Sequence, residues 1–143
     1  SKKGFEISQE FYKIENGINA NIIVEDNDII AMPRDNGRGA LDIRHSKGIQ
    51  VRNNRISCLN RFQSACISIA SSQNVIIEDN QFSAKTEIDY RFIIDDVVDP
   101  ETKMSHPELD VKNVYVKGNI YKNISKLNFI KVKEFSSRNC NIE

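Results

Sequence analysis

Tryptophan is absent from this sequence, and cysteine and tyrosine are scarce, with three and four residues in a chain of 143. Cys58, Cys66 and Cys140 are odd in number and show no Cys-x-x-Cys spacing, so neither a zinc site nor a disulfide framework is predicted. Cys66 and Cys140 occupy apolar positions of a repeated pattern, and we expect both to be small core residues, since free cysteine is commonly buried. No metal or other cofactor is predicted.

An excess of charge of either sign is also missing. Lys plus Arg and Asp plus Glu both number 20, so the formal net charge is zero. The sequence therefore shows no basic excess that would indicate a nucleic-acid partner, and no acidic tail. No apolar run approaches the ~20 residues that a membrane-spanning helix needs. The first residues, SKKGFEISQE, are polar and do not form a signal peptide.

What the sequence does contain is a phrase that occurs four times. The copies are NIIVEDNDI (21–29), GIQVRNNRI (48–56), NVIIEDNQF (74–82) and NVYVKGNIY (113–121). Their shared asparagines are Asn27, Asn54, Asn80 and Asn119, and the intervals between them are 27, 26 and 39 residues. The longest interval includes an inserted loop at 99–110, which has two prolines and no periodicity. A period in the twenties predicts a solenoid.

Apolar residues alternate within each phrase, which indicates strands rather than helices. The alternating pairs are Ile22 and Val24, Ile49 and Val51, Val75 and Ile77, and Val114 and Val116. After the Asn comes a further apolar residue: Ile29, Ile56, Phe82 or Tyr121. A second short strand is expected near each phrase: Leu41 with Ile43, Ile67 with Ile69, Phe92 with Ile94, and Ile130 with Val132. The β-branched content supports strands throughout.

Three short parallel strands per coil predict an all-β fold. The expected architecture is a right-handed parallel β-helix, a solenoid of about five coils of roughly 26 residues, each adding ~4.8 Å along the axis. Stacking of neighbouring coils buries a continuous apolar column. The repeated Asn lies at a sharp corner, where we expect it to adopt left-handed backbone angles. Its stacked amides are expected to bond along the axis as an asparagine ladder, the alternative being a ligand-binding row.

Both ends of the repeat look incomplete. NCNIE (139–143) matches the opening of a fifth phrase, with Cys140 and Ile142 as its inward pair. Phe5 and Ile7 match the short strand of an earlier coil, followed by an inserted loop at 8–20. Neither end offers an obvious cap, and bare strand edges invite association. We therefore expect one β-helix domain, 1–143, that is a fragment of a longer β-helix or is covered by a partner. End-to-end self-association through the uncapped coils is a further expectation.

The I/V-x-I/V-x-x-N-x-I/F runs at 22–29, 49–56 and 75–82, with a looser match at 114–121, resemble the pectin-lyase-like superfamily of right-handed β-helix proteins. The resemblance covers most of the chain, and the IEDN and VRNN runs look most like bacterial glycoside hydrolases, including the α-1,3-galactosidase group. It implies a polysaccharide or glycan partner and a secreted, periplasmic or cell-surface location. A fold does not by itself give a function, so the site is considered separately.

In such folds the substrate lies along the outer face of one sheet, flanked by loops. Here the candidate sheet is built from the short strand that precedes each phrase. Alternation predicts that its outward side chains are Asp42, Arg44, Ser68, Asp95, Lys131 and Lys133, and His45 adjoins this row. Of these, Asp42, Arg44, His45, Lys131 and Lys133 are the candidate substrate-binding residues. The segments 31–39, 57–64 and 83–91 are expected to form loops that wall this face.

Asp95 and Asp96, in FIIDDVVD (92–99), are the candidate catalytic residues. Glycoside hydrolysis uses two carboxyl groups, and crowding them raises one pKa and supplies the acid. Polygalacturonases, which the repeat resembles, carry an Asp-Asp pair at a comparable kind of position. Their Gly-His-Gly is missing here, and FIKVK (129–133) only loosely matches their Arg-Ile-Lys. Because adjacent strand residues point to opposite faces, the alternative is a solvated strand end or a carboxylate bonded to loop backbone.

Polysaccharide lyase chemistry is a second possibility, with Arg44 or Lys131 as the base. Calcium for such chemistry prefers clustered carboxylates, but Asp26, Asp28 and Asp79 fall at the Asn corner and are expected to be turn residues.

The leading prediction is a carbohydrate-active segment of a secreted glycoside hydrolase. The alternatives are a lyase, a non-catalytic carbohydrate-binding or structural β-helix of the tailspike or adhesin kind, and a scaffold for a site elsewhere in a longer chain. Converging carboxylates would favour an enzyme. Exposed aromatic rings, for which Tyr90 and Tyr115 are candidates, would favour binding.

Overall fold

The structure, a computed structural model, describes residues 5–7, 19–31, 39–58, 65–96 and 110–143. Within these ranges the regular structure is β, apart from a single 3-10 turn at Phe135–Ser137. The strands, numbered in chain order, form three sheets that we call sheets 1, 2 and 3. The helical positions in the described part of the chain are too few and too short to include a membrane-crossing helix.

Among the described residues, sheets 1 and 2 each have five strands and sheet 3 has four. Sheet 1 consists of β1 (Phe5–Ile7), β4 (Leu41–Arg44), β7 (Ala65–Ala70), β10 (Tyr90–Asp95) and β13 (Asn128–Lys131). Sheet 2 consists of β2 (Asn19–Glu25), β5 (Ser46–Arg52), β8 (Gln73–Glu78), β11 (Lys112–Lys117) and β14 (Asn141–Ile142). Sheet 3 consists of β3 (Asp28–Ala31), β6 (Arg55–Cys58), β9 (Gln81–Ile88) and β12 (Ile120–Ile124).

The chain visits the three sheets in strict rotation, and every strand pairs in parallel with the strand three places along the chain. Parallel strands are normally joined by a long crossover connection, and here the strands of the other two sheets form that connection. The all-β class and the parallel pairing predicted from the repeat are confirmed. The arrangement is compatible with a β-helix.

The strand register confirms the alignment of the four phrases. Val24 pairs with Val51, Val51 with Ile77, and Ile77 with Val116. The apolar residues that follow the repeated Asn are also in register, as Ile29, Ile56, Phe82 and Tyr121. These columns point inward, and the residues in the middle of the stack, such as Ile49, Ile56 and Ile77, are fully buried. The alternation in sequence therefore places the core correctly.

The end strands also follow the prediction in part. β1 pairs with β4 so that Phe5 faces Leu41, and Ile142 of β14 pairs with Val116. The prediction for β13 was wrong by two residues, since Asn128, rather than Ile130, pairs with Phe92, and Ile130 pairs with Ile94. Val132 follows the strand.

The asparagine ladder is confirmed by its hydrogen bonds. The side-chain oxygen of Asn54 accepts the backbone N–H and the side-chain N–H of Asn27, at 2.9 and 3.1 Å. Asn80 does the same for Asn54, at 2.9 and 3.0 Å, and Asn119 does the same for Asn80. The Nδ2 group of Asn54 also donates to the Val24 carbonyl in β2. Each Asn therefore satisfies backbone groups that the corner would otherwise leave buried without partners.

The left-handed backbone at this corner lies one residue earlier than predicted. The ladder asparagines have ordinary angles, whereas the residues before them, Asp26, Asn53, Asp79 and Gly118, have φ values of 59°, 56°, 57° and 66°. Asn, Asp and Gly are the residues that tolerate these angles at least cost. The corner needs two residues with different roles, one to turn the chain and one to bond along the stack.

A second column of left-handed residues opens each phrase and was not predicted. It consists of Asn21, Gly48, Asn74, Asn113 and Asn139, with φ between 54° and 70°. The side chain of Asn113 donates to Asn74 at 2.8 Å, and that of Asn139 donates to Asn113 at 2.9 Å. The first residue of each phrase is Asn or Gly, and this is the sequence feature that marks the column.

Several segments that were predicted to be loops lie partly in strands or outside the described residues. The segment 83–91, expected to be a loop, lies in β9 and β10 apart from Asp89. The inserted loop at 8–20 is shorter than predicted at its end, because β2 begins at Asn19. Residues 8–18, 32–38, 59–64 and 99–109, and with them most of the other predicted loops, lie outside the described residues.

Candidate functional site

The predicted site lies on the outer face of sheet 1, where two rows of side chains cross the strands. The register aligns Asp42, Ser68, Ile93 and Phe129 in one row. It aligns Arg44, Ala70, Asp95 and Lys131 in the other. Four of the predicted site residues are thus brought onto one face.

At the β4 end of this face, Asp42 is buried within a polar network. Arg44 donates to the Asp42 carboxylate from Nε at 2.9 Å and from Nη2 at 2.6 Å. The Ser68 hydroxyl donates to the other carboxylate oxygen at 2.7 Å and accepts the backbone N–H of Gly39 at 3.1 Å. The Asp42 side chain has no exposed surface, whereas that of Arg44 is 30% exposed. Asp42 therefore supports the strand, and Arg44 presents the accessible atoms of the pair.

His45 and Lys133 do not share the two rows. His45 is buried and has a left-handed backbone, with φ of 46°, and its backbone N–H bonds to the Ala70 carbonyl at 3.0 Å. Lys133 is exposed but lies in the turn that follows β13, before the 3-10 turn. Of the five predicted substrate-binding residues, Arg44 and Lys131 are the ones that both lie in the rows and reach the surface.

Asp95 and Asp96 have different surroundings. Asp95 ends β10 and lies in the outer row beside Lys131. Asp96 accepts the backbone N–H of Val111 at 2.8 Å through one oxygen and Arg138 at 2.7 Å through the other. These contacts connect the chain segments on either side of 97–109. Both carboxylate oxygens of Asp96 are therefore engaged in structural contacts. This is the loop-backbone contact that the sequence left open as an alternative.

Tyr90, one of the aromatic residues predicted to favour binding, pairs on this face with Phe129, which was not predicted. The rings of Tyr90 and Phe129 are 5.5 Å apart and tilted by 50°. Phe129 is 39% exposed, and the Lys131 ammonium lies 5.2 Å from its ring centre. We call Tyr90, Phe129, Lys131 and Asp95 the aromatic–lysine patch. Phe129 precedes Lys131 by two residues and so belongs to the same face, which is the signal that would have revealed it.

A polar groove of about 440 Å³ follows the corner between sheets 2 and 3. It is lined by Asp26, Asn27, Asp28, Asn53, Asn54, Arg55, Asp79 and Gln81. In the described part of the chain no three His, Cys, Asp or Glu side chains are grouped so that they could hold a metal ion. Asp26 and Asp79 occupy left-handed positions, as predicted for turn residues, whereas Asp28 is the first residue of β3.

The surroundings of Cys66, Cys140 and Tyr121 do not activate them as nucleophiles. Contact with the Cys58 thiol and burial together raise the pKa of Cys66 far above its ordinary value. Burial also raises the pKa of Tyr121, although the Arg91 guanidinium, 4.0 Å above the ring, opposes the shift. Burial raises the pKa of Cys140 as well. These groups stay protonated near neutral pH, and a thiol is a weak nucleophile in that form.

Comparisons of the chain with protein-family models, curated proteins and solved structures find no match.

Proposed function

We propose that the three parallel sheets are the faces of a right-handed parallel β-helix of about five coils of roughly 26 residues, related to the pectin-lyase-like superfamily. The strict rotation of strands among the sheets supports this architecture. The hydrogen-bonded column of Asn27, Asn54, Asn80 and Asn119 supports it as well.

The function that we propose is glycan binding on the outer face of sheet 1. The observation that carries it is the exposed Phe129 ring, held against Tyr90 and flanked by Lys131 and Asp95. The flat apolar face of an aromatic ring suits the C–H face of a sugar, and charged groups beside it suit hydroxyls or a uronate carboxylate. The positive charge of Lys131 favours an acidic sugar, and Arg44 in the same row would contact a second sugar unit of the glycan.

Hydrolysis of the bound glycan is the second candidate, since Asp95 belongs to the same patch. Hydrolysis needs a partner carboxyl about 5–9.5 Å away. Asp96 would have to leave Arg138 and the Val111 N–H to act in this way. Binding without hydrolysis is therefore the better-supported proposal for these residues, with a glycoside hydrolase preferred to a lyase for any catalytic parent chain. From the resemblance to this superfamily we also propose a secreted, periplasmic or cell-surface location. From the uncapped ends of the repeat we propose end-to-end self-association.

The experiment is a glycan-array screen followed by calorimetric titration with the best acidic and neutral oligosaccharides. Phe129→Ala should weaken binding about fivefold or more, since stacking of this kind is worth ~1 kcal/mol or more per ring. Tyr115→Ala is the matched control, because Tyr115 is similarly exposed, at 36%, but lies on sheet 2. Equal losses from the two variants, or a loss confined to Tyr115→Ala, would refute the site.

An assay for cleavage of the same oligosaccharides distinguishes binding alone from hydrolysis. Turnover by the wild-type chain that disappears in Asp95→Asn, while binding persists, would establish the hydrolase. Binding without turnover supports the first proposal.

A further inference from the structure

The outer face of sheet 2 presents apolar side chains to solvent. Strand register aligns four outward residues across this face, which we call the central row: Ile23 in β2, Gln50 in β5, Ile76 in β8 and Tyr115 in β11. Ile23 is 55% exposed and Tyr115 is 36% exposed. A depression of about 320 Å³ lies beside Ile76 and Tyr115. The central row thus has a projecting apolar side chain in β2 and an apolar hollow at β8 and β11, and burial of such surface favours association.

A row of alternating charges runs beside the central row. Its members follow those of the central row by two residues along each strand: Glu25, Arg52, Glu78 and Lys117. The Arg52 Nη2 group lies 3.0 Å from the Glu25 carboxylate. The Lys117 ammonium lies 3.8 Å from the Glu78 carboxylate. Glu143, the residue after β14, continues the alternation. The charge therefore changes sign from each strand of the sheet to the next.

This charged row is complementary to the same row in reverse order. A two-fold axis that runs parallel to the strands, between β5 and β8, reverses the stacking order of a second copy and keeps its strand direction. β2 then faces β11 of the second copy, and β5 faces its β8. Glu25 therefore lies opposite Lys117 of the second copy, and Arg52 lies opposite its Glu78. A symmetric dimer requires a self-complementary surface of this kind.

The same axis matches the central row. Ile23 of each copy lies opposite Tyr115 of the other and enters the depression beside it. Gln50 lies opposite Ile76. An axis moved by one strand, between β8 and β11, would also pair opposite charges but would leave Ile23 uncovered. The apolar and the charged residues thus favour one register.

A two-fold axis along the stack is less favourable. It would place the charged row against the column of Asn and Gly residues that opens each phrase. The charges would then lose water without gaining a partner of opposite charge.

We infer that the outer face of sheet 2 is a dimer interface between two copies of this chain, related by a two-fold axis between β5 and β8. The facing strands have six or seven residues, so each copy contributes an area of about 19 by 23 Å. The two copies would together cover about 900 Å², less than the ~1,200–2,000 Å² of stable complexes. We therefore expect a weak, reversible dimer that is populated at about 0.1–1 mM.

The inference is independent of glycan binding and of the ends of the stack. Glycan binding is proposed for sheet 1, whereas this contact uses side chains on the flat side of sheet 2. End-to-end association would not depend on the order of charges along that side.

The test is sedimentation equilibrium of the whole chain at about 1 μM–1 mM, with charges exchanged between copies. Lys117→Glu alone brings like charges together at both symmetry-related contacts of the dimer, and so does Glu25→Lys alone. Each variant should dimerise at least about tenfold more weakly than the wild type. In an equimolar mixture of the two variants, both contacts of the mixed dimer again join opposite charges. The mixture should therefore dimerise with an affinity close to that of the wild type.

Arg55→Glu is the matched control. Arg55 forms a similar ion pair between neighbouring strands, 3.9 Å from Asp28, but lies on sheet 3. Its reversal should leave dimerisation unchanged. Circular dichroism of every variant verifies the fold, which we expect to persist because exposed ion pairs contribute little to stability.

Three results would overturn the inference. The first is a wild-type chain that stays monomeric at about 1 mM. The second is dimerisation of Lys117→Glu or of Glu25→Lys with wild-type affinity, which would assign the association to another surface. The third is a mixture that associates no better than the two variants do separately, which would show that residues 25 and 117 do not face each other across the contact.

Discussion

Replacing Asn80 by Leu is the sharpest test of the ladder. The Asn80 side chain has no exposed surface and makes four hydrogen bonds. Its oxygen accepts the Asn54 backbone N–H at 2.9 Å and the Asn54 side chain at 3.0 Å, and its Nδ2 group donates to the Val51 carbonyl and to the Asn119 side-chain oxygen, each at 3.0 Å. Each bond contributes about 1 kcal/mol net, and a buried donor left without a partner costs about 1–3 kcal/mol. Leu is similar in size but restores none of these bonds. We expect a loss of about 3–5 kcal/mol, a large share of the ~5–15 kcal/mol that stabilises a domain.

Asn27→Leu is the matched control. Asn27 belongs to the same ladder but is exposed, and its side chain only donates, to Asn54 and to the Glu25 carbonyl. Its loss should cost about 1 kcal/mol, because water can satisfy the groups left behind. The free energy of unfolding of both variants is measured by urea unfolding followed by circular dichroism. The dependence of this free energy on urea concentration, the m-value, should be the same for both variants. If the two losses agreed within about 1 kcal/mol, the argument that burial makes the ladder stabilising would be refuted.

Three further predictions follow from local geometry. Gly118→Ala should destabilise the chain by about 1–3 kcal/mol in the same urea assay, because φ is 66° and a Cβ would overlap the Asp79 carboxylate; unchanged stability would contradict this corner. Ser68→Ala should cost about 1–3 kcal/mol, because Asp42 and a buried backbone N–H each lose a hydrogen bond; Ser68→Thr keeps the hydroxyl and should recover part of the loss. Cys66 should resist iodoacetamide at pH 8 in the folded chain and react on unfolding, since contact with a neighbouring thiol and burial raise its pKa; rapid labelling of the folded chain would contradict this.

The fold was largely predictable because its determinants are local and repeated. Alternation in VIIEDNQF identifies both the inward pair and the corner, and the recurrence of the same phrase in each repeat determines which residues stack. The register of β13 was not predictable in this way. Asn128, Ile130 and Val132 are spaced two residues apart in the sequence, so alternation alone cannot choose between pairing Phe92 with Asn128 and pairing it with Ile130.

The site was predictable only where it depends on alternation. Lys131 and Asp95 meet because strand register brings them together, and Phe129 follows from the same rule. The contact between Asp96 and Arg138 joins residues 42 positions apart across an insertion, and no periodic signal marks it. The burial of Asp42 was equally hidden, because an outward position in a strand predicts exposure unless another part of the chain covers it.

The direction of the ladder bonds has a mechanical consequence. The bonds between strands and those between stacked asparagines all run along the stack. A force that separates the first and last repeats therefore loads one corner at a time, and the repeats should detach in succession, releasing the 27, 26 or 39 residues that separate successive ladder asparagines. A force applied across the stack must shear a whole strand row at once. The molecule should therefore be weak under tension along its axis and strong against sideways load.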